Sequence, residues 1–238
     1  MRGKSTGVFV SDFHLFSPRS DKSLDVIELL RPYRSTDNLI VLGGDVFDFR
    51  WSDRGSFEKT LTAAKKWLSD LLEATGQSRI HYLLGNHDCH TNFARELENL
   101  ASREPRFAWS QHHWQLGNNL FLHGDILDSG SLEGVASYRS KFQSEETRSW
   151  FAHRAYDLVV MLRLHRTVPG LRHKPAETCK LLARAIPDLD KIESQQVKRV
   201  YFGHTHVRID GLEYNGIRFF NPGAALKHVP FEPVEFEF

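Results

Sequence analysis

Ten residues in five short stretches of this 238-residue chain carry the side chains of metal and acid–base chemistry. In "SDFHL", Asp12 and His14 stand two apart. "GGDVFD" supplies Asp45 and Asp48, and "GNHD" supplies Asn86, His87 and Asp88. "LHGD" supplies His123, and "GHTH" supplies His204 and His206, again two apart. Carboxylate, amide oxygen and imidazole are the donors that hold Mn²⁺, Fe²⁺ or Zn²⁺. A single Asp-x-His or Asn-His-Asp is a weak signal, because a lone His is more often a core or surface residue than a ligand. All five stretches, however, stand in the same context.

That context is the end of a strand. The runs 7–12, 38–45, 79–88, 119–125 and 199–206 are short, β-branched or aromatic, and each stops at Asp, Asn or His. In layered α/β folds ligands bind outside the carboxyl ends of the strands, so these runs predict one shared rim. An extended backbone puts residues two apart on one side, which pairs Asp12 with His14 and His204 with His206. Gly43 and Gly44 permit a tight exit from the second strand. The expectation is a centre of two metal ions.

Helical stretches separate the early strands. The first covers 22–33. The second covers 56–74, where Phe57, Leu61, Ala64, Leu68 and Leu71 or Leu72 recur at helical spacing. Strands alternating with helices predict a β/α layered domain. After the fifth strand, Asn215-Gly216 and Pro222-Gly223 read as hairpin turns in antiparallel sheet.

With 40% hydrophobic and 26% charged residues, 238 positions suit one well-buried domain covering 1–238. A formal net charge of +1 gives no global argument for nucleic acid or an anionic membrane. The opening residues have too short an apolar run for a secretory signal, and no later run approaches a membrane span. Cys89 and Cys179 lie too far apart in sequence for a disulfide framework. The expected location is cytoplasmic, with peripheral membrane association compatible.

One segment departs from the alternation. Residues 126–198 contain no convincing strand, whereas 146–164 and 177–186 read as helices, which predicts a helical cap inserted at about 130–197. Between 138 and 199 there are thirteen Lys and Arg against seven Asp and Glu. Those charges are either a solvated helix face or an electropositive lid over an anionic substrate.

Taken in order, Asp-x-His, Gly-Asp-x-x-Asp, Gly-Asn-His-Asp, His-Gly and Gly-His-x-His, the motifs resemble the signature of the calcineurin-like metallophosphoesterase superfamily across residues 12–206. The resemblance implies a four-layer αββα sandwich of two mixed sheets flanked by helices. By similarity, Asp12, His14 and His206 hold one metal and Asn86, His123 and His204 the other, with Asp45 bridging. The ions implied are two divalent cations, Mn²⁺ first and Fe²⁺ or Zn²⁺ as alternatives. Such a pair lowers the pKa of a shared water and neutralises phosphoryl oxygens, so that a bridging hydroxide attacks phosphorus. His87 is then the family's candidate for protonating the leaving oxygen, oriented by Asp48. Asp48 also reads as a turn cap, Asp88 as a structural or a catalytic hydrogen-bonding group, and Cys89 as packing.

The substrate class is an anionic phosphate compound. The protein Ser/Thr phosphatases extend the second motif to Asp-Arg-Gly and read Asn-His-Glu, unlike "GDVFDFRW" and "GNHD" here. "GDVFDFRW" and the long helical insertion look more like the UDP-2,3-diacylglucosamine pyrophosphohydrolases, which implies a nucleotide-lipid substrate. That family reads Asn-Arg-Asp where this chain has Asn86-His87-Asp88. "FFNPGAA" (219–225) resembles the small phosphodiesterases of the same superfamily. Two other classes stay open: a nuclease, in which a basic cap tracks a nucleic-acid backbone, and a non-catalytic interaction module, against which stands the unbroken ligand set.

Overall fold

The structure, a computed structural model, describes residues 5–143 and 173–238. Its first half runs as strand and helix in turn: β1 (Thr6–Val10), α1 (Val26–Leu30), β2 (Asn38–Leu42), α2 (Phe57–Ala74), β3 (Arg79–Leu83), α3 (Thr91–Ala101) and β4 (Phe107–Ser110). The second half is β5 (His113–Leu116), β6 (Asn119–Leu122), α4 (Ile126–Ser129), α5 (Leu132–Ser140), α6 (Pro175–Ala185), β7 (Arg199–Phe202), β8 (Ile209–Tyr214), β9 (Ile217–Asn221) and β10 (Val234–Glu237). Two five-stranded sheets result, ordered β10-β1-β2-β3-β4 and β5-β6-β7-β9-β8. β1 to β4 are parallel and β10 joins β1 antiparallel. β6, β7 and β9 are parallel, with β5 and β8 antiparallel at the edges.

Strand periodicity explains the layers. Alternate side chains of a strand face opposite ways, and here both faces are apolar. Val8, Val10, Ile40, Leu42, Ile80 and Tyr82 join α1 to α3 in one core. Their neighbours Phe9, Leu39, Val41 and Leu83 meet Phe121, Tyr201 and Phe236 between the sheets. Leu120, Leu122, Val200, Phe202 and Phe219 face the other way, onto Ile126, Val135, Cys179, Leu182 and Ile186. The order is helices, sheet, sheet, helices: a mixed α/β sandwich, as expected.

Several boundaries differ from the sequence reading. α1 is shorter than 22–33, starting where the Asp25 side chain accepts the N–H groups of Ile27 and Glu28. α2 matches closely, capped by Ser56, whose hydroxyl accepts from Lys59 N at 3.2 Å. α3, β4 and β5 were not foreseen. Asn215-Gly216 does turn β8 into β9, but Pro222-Gly223 is no hairpin. The chain there crosses to the other sheet, because Val234–Glu237 pairs with β1 rather than β9. The helix expected at 146–164 lies outside the described residues. Of the segment 130–197, α5 borders the strand ends, whereas α6 packs its buried Cys179 and Leu182 on the second sheet.

His81 on β3 makes a link between the sheets. Its ring stacks on Trp114 of β5, with centroids 3.9 Å apart at 8°, and Nε2 meets Ser110 Oγ at 2.9 Å. Burial pushes its pKa from 6.5 down to about 4. The unfolded chain protonates this ring near pH 6.5 while the folded chain resists, so its stabilising contribution is full above that pH and fades as pH falls toward 4. The stability advantage of the wild type over His81→Gln should therefore shrink by about 2 kcal/mol between pH 7 and 4.5. Urea unfolding of both proteins at the two pH values checks this, and a constant difference contradicts it.

Candidate metal centre

Every motif residue lies just beyond a strand, not within it. β1, β2, β3, β6 and β7 end at Val10, Leu42, Leu83, Leu122 and Phe202, and the residues of interest follow within one to six positions. The extended pairing expected for Asp12 with His14, and for His204 with His206, is not how they meet. Asp12, His14, Asp45, His204 and His206 all have left-handed backbone, with φ of 57°, 46°, 52°, 67° and 56°. Each costs on the order of 1–2 kcal/mol for a residue with a Cβ. Backbone hydrogen bonds hold them there: Asp12 N donates to Gly44 O at 3.0 Å and His14 N to Asp45 O at 2.9 Å. Two glycines are required by close approach. A Cβ on Gly85 would lie 2.2 Å from Asp45 Oδ1, and one on Gly203 would lie 2.2 Å from Asp12 Oδ2.

The seven expected ligands converge, all within a fifth of full exposure by side chain where they form ion pairs. On one side, His14 Nε2 faces His206 Nε2 at 3.2 Å, and Asp12 Oδ1 is 3.4 Å from His206 Nε2. On the other, Asn86 Oδ1 lies 3.2 Å from His123 Nε2 and 3.0 Å from His204 Nδ1. Asp45 stands between them, with Oδ2 3.8 Å from His14 Nε2 and Oδ1 3.5 Å from His123 Nε2. Three groups here have ligand atoms close enough to share an ion: Asp12, His14 and His206; His14, Asp45 and His87; Asp12, Asp45 and His123.

The donor chemistry fits a cation. His123 Nδ1 donates to Gly43 O at 2.9 Å, and His204 Nε2 meets Asp128 Oδ2 at 3.0 Å. With that nitrogen committed outward, the other nitrogen of each ring faces inward, toward the Asn86 oxygen, where its lone pair is available to a cation whenever the ring carries no second proton. Lone pairs held that close repel unless a positive charge lies among them. Burial raises the Asp45 carboxyl, but His123, His87 and His14 hold it well below its ordinary range. Burial lowers His123, yet Asp45 and Asp12 carry it to about 10. His14 is driven by burial to about 4 despite Asp48.

His87 borders this cluster. Its Nδ1 is 3.0 Å from Asp48 Oδ1, and its backbone N–H donates to Asp45 Oδ1 at 2.8 Å. Asp48 also accepts from Trp51 N at 3.0 Å and pairs with Arg19. Its two readings, turn cap and imidazole partner, therefore coexist. Asp88 accepts from Tyr82 OH (2.6 Å), Gly85 N (2.7 Å) and Val46 N (2.9 Å), tying the exits of β2 and β3 together. Cys89 Sγ is buried against Asn86 O at 3.3 Å, and burial pushes the thiol up to about 12, which suits packing. The cleft is also lined by Asp128, Tyr138, Phe142 and His173, none of which the motifs indicated. Asp128 follows His123 by five residues, yet it reaches His204 only because α4 turns back over the rim.

The family model for calcineurin-like phosphoesterases matches residues 8–208. The chain belongs to the calcineurin-like phosphoesterase family, hydrolases of phosphoester bonds that bind divalent metals. Comparison with curated proteins yields no match.

Because Gly85 and Gly203 leave no room for a Cβ beside the carboxylates, Gly85→Ala should displace Asp45 and destabilise the fold by about 1–3 kcal/mol. Metal content by elemental analysis should fall with it. A variant as stable and as metal-loaded as the wild type would contradict this packing argument.

Proposed function

We propose that the protein is a dinuclear metal-dependent phosphoesterase. The observation that supports it is the Asp45 carboxylate, whose two oxygens face two different donor groups, the arrangement of a bridging ligand. In this reading Asp12, His14 and His206 hold one ion, and Asn86, His123 and His204 the other. Mn²⁺ is the preferred ion for this oxygen and nitrogen set, with Fe²⁺ or Zn²⁺ as alternatives. When bound, the pair of cations supplies Lewis acidity, neutralising phosphoryl oxygens and making water acidic near neutral pH.

The protein's own groups do the rest. His87, held through Nδ1 by Asp48, presents Nε2 to the leaving oxygen and protonates it as the P–O bond breaks. Tyr138 and Phe142 of the α5 region wall the cleft on that side, with Phe142 5.2 Å from the His87 ring. The substrate class is an anionic phosphodiester, phosphomonoester or pyrophosphate, with a UDP-2,3-diacylglucosamine-like nucleotide-lipid as leading candidate. The basic excess over 138–199 supports an anionic substrate under an insertion at 130–197 of one domain. It also keeps a nuclease as the second reading. Among the described residues no helix is long and apolar enough to cross a membrane; a cytoplasmic location with peripheral membrane contact belongs to the proposal.

Asp45→Asn should lower metal occupancy at both positions and activity by several orders of magnitude. Two ions per chain by elemental analysis with near-normal turnover would remove the dinuclear reading. His87→Ala should keep its metal but lose roughly 10²–10⁴ in rate on alkyl phosphodiesters, and less on a nitrophenyl ester whose leaving group needs no proton. Loss of metal in that variant would make His87 a ligand instead.

A further inference from the structure

Behind one half of the cleft lies a buried arginine that belongs to no motif. Arg139, near the end of α5, is 3% exposed. Its Nε donates to Asp125 Oδ2 at 2.6 Å and its Nη2 to Asp125 Oδ1 at 3.1 Å. Nη2 also donates to Leu84 O at 2.8 Å, and Nη1 to Gln111 O at 2.5 Å. The Arg139 carbonyl in turn meets Cys89 Sγ at 3.6 Å.

The positions of these partners matter more than their number. Leu84 leaves β3 in the first sheet, two residues before Asn86. Asp125 leaves β6 in the second sheet, two residues after His123. One guanidinium thus bolts the two sheets together directly beneath the loops that bring Asn86 Oδ1 within 3.2 Å of His123 Nε2. The other half of the centre has a separate brace: Arg19 pairs with Asp48, whose Oδ2 is 3.6 Å from His14 Nδ1.

Burying a guanidinium and a carboxylate costs several kcal/mol per ion, and an apolar pair of like volume is often as stable. Stability alone is therefore a poor reason for this pair. Direction is a better one, since the planar fork fixes a carboxylate and two carbonyls at once, which neither an ammonium nor an apolar group does.

We propose that Arg139 is a positioning residue for the Asn86, His123 and His204 half of the centre, setting that half's affinity for its ion without setting the other's. The inference rests on the dinuclear reading above. A shift of a few tenths of an ångström between loops 84–86 and 123–125 alters the Asn86 to His123 spacing directly. Asp12, His14 and His206 leave β1 and β7, and none follows a partner of Arg139.

Arg139→Met alone strands Asp125, so the first test replaces the pair, Arg139→Met with Asp125→Leu. The second is Arg139→Lys, which keeps a charge opposite Asp125 but cannot also span both carbonyls. Metal-free wild type and variants are titrated with Mn²⁺ by calorimetry, with circular dichroism to verify folding. The wild type should take two ions per chain. Each folded variant should keep one near wild-type affinity and bind the second about ten- to a hundredfold more weakly, the range for groups that orient metal ligands. Adding His206→Ala should abolish the ion that remains. Equal weakening of both ions, no weakening of either, or survival of the remaining ion in the His206→Ala background overturns the inference. Should the double variant fail to fold, Arg139→Lys decides alone. A wild type that binds fewer than two ions refutes the dinuclear reading itself, a distinct result, and the inference falls with it.

Discussion

The structure depends on keeping two carboxylates, Asp12 and Asp45, ionised although almost none of their surface is exposed. Both are essentially fully buried, and an isolated buried carboxylate would take up a proton rather than bear that cost. Asp12 accepts the His204 N–H with both oxygens at 3.0 Å, and Asp45 accepts the His87 N–H at 2.8 Å. Burial pushes the Asp12 carboxyl up, but His206 and His123 bring it below its ordinary value. Each anion is thus held by backbone and imidazole from a different strand exit. Those exits come from both sheets, so the sandwich must be assembled before the charge can be.

This requirement accounts for features that look wasteful alone. Five left-handed residues with side chains stand at the strand exits, where an ordinary extended backbone would carry their side chains past one another. Their strain is opposed by the ladder of hydrogen bonds that continues beyond β1 and β2. Asp88, with no place among the donors, is the clamp on that ladder, joining Tyr82, Gly85 and Val46. Beside an anionic Asp45 its burial shifts its pKa up to about 6.

Much of this was legible in the sequence because it is local. A strand run ending in Asp or His predicts its own rim, and five of them predict a common one. The apolar character of both strand faces is likewise visible in 38–42 and 199–202. What escaped is what depends on distant partners. Trp114 on β5 earns its place by stacking on His81, and β4 by lying beside β3, neither of which is a property of its own segment. Pro222-Gly223 resembles a hairpin turn, yet only the apolar floor around Phe9 and Phe121 decides that β10 returns to the first sheet. Arg139 is one more helical arginine until the carbonyls of Leu84 and Gln111 are seen around it.

The return of β10 has a consequence for how the chain is made. β1 pairs on one side with β2, which a ribosome delivers soon afterward, and on the other with Val234–Glu237, which emerge far later. Until β10 arrives one edge of β1 therefore presents unsatisfied N–H and C=O groups, and the apolar cluster of Phe9, Phe121 and Tyr201 lacks Phe236. Such a long separation in sequence slows closure of the sheet. The nascent chain is thus most vulnerable to intermolecular strand pairing along this edge of β1, and chaperone demand should track the arrival of β10.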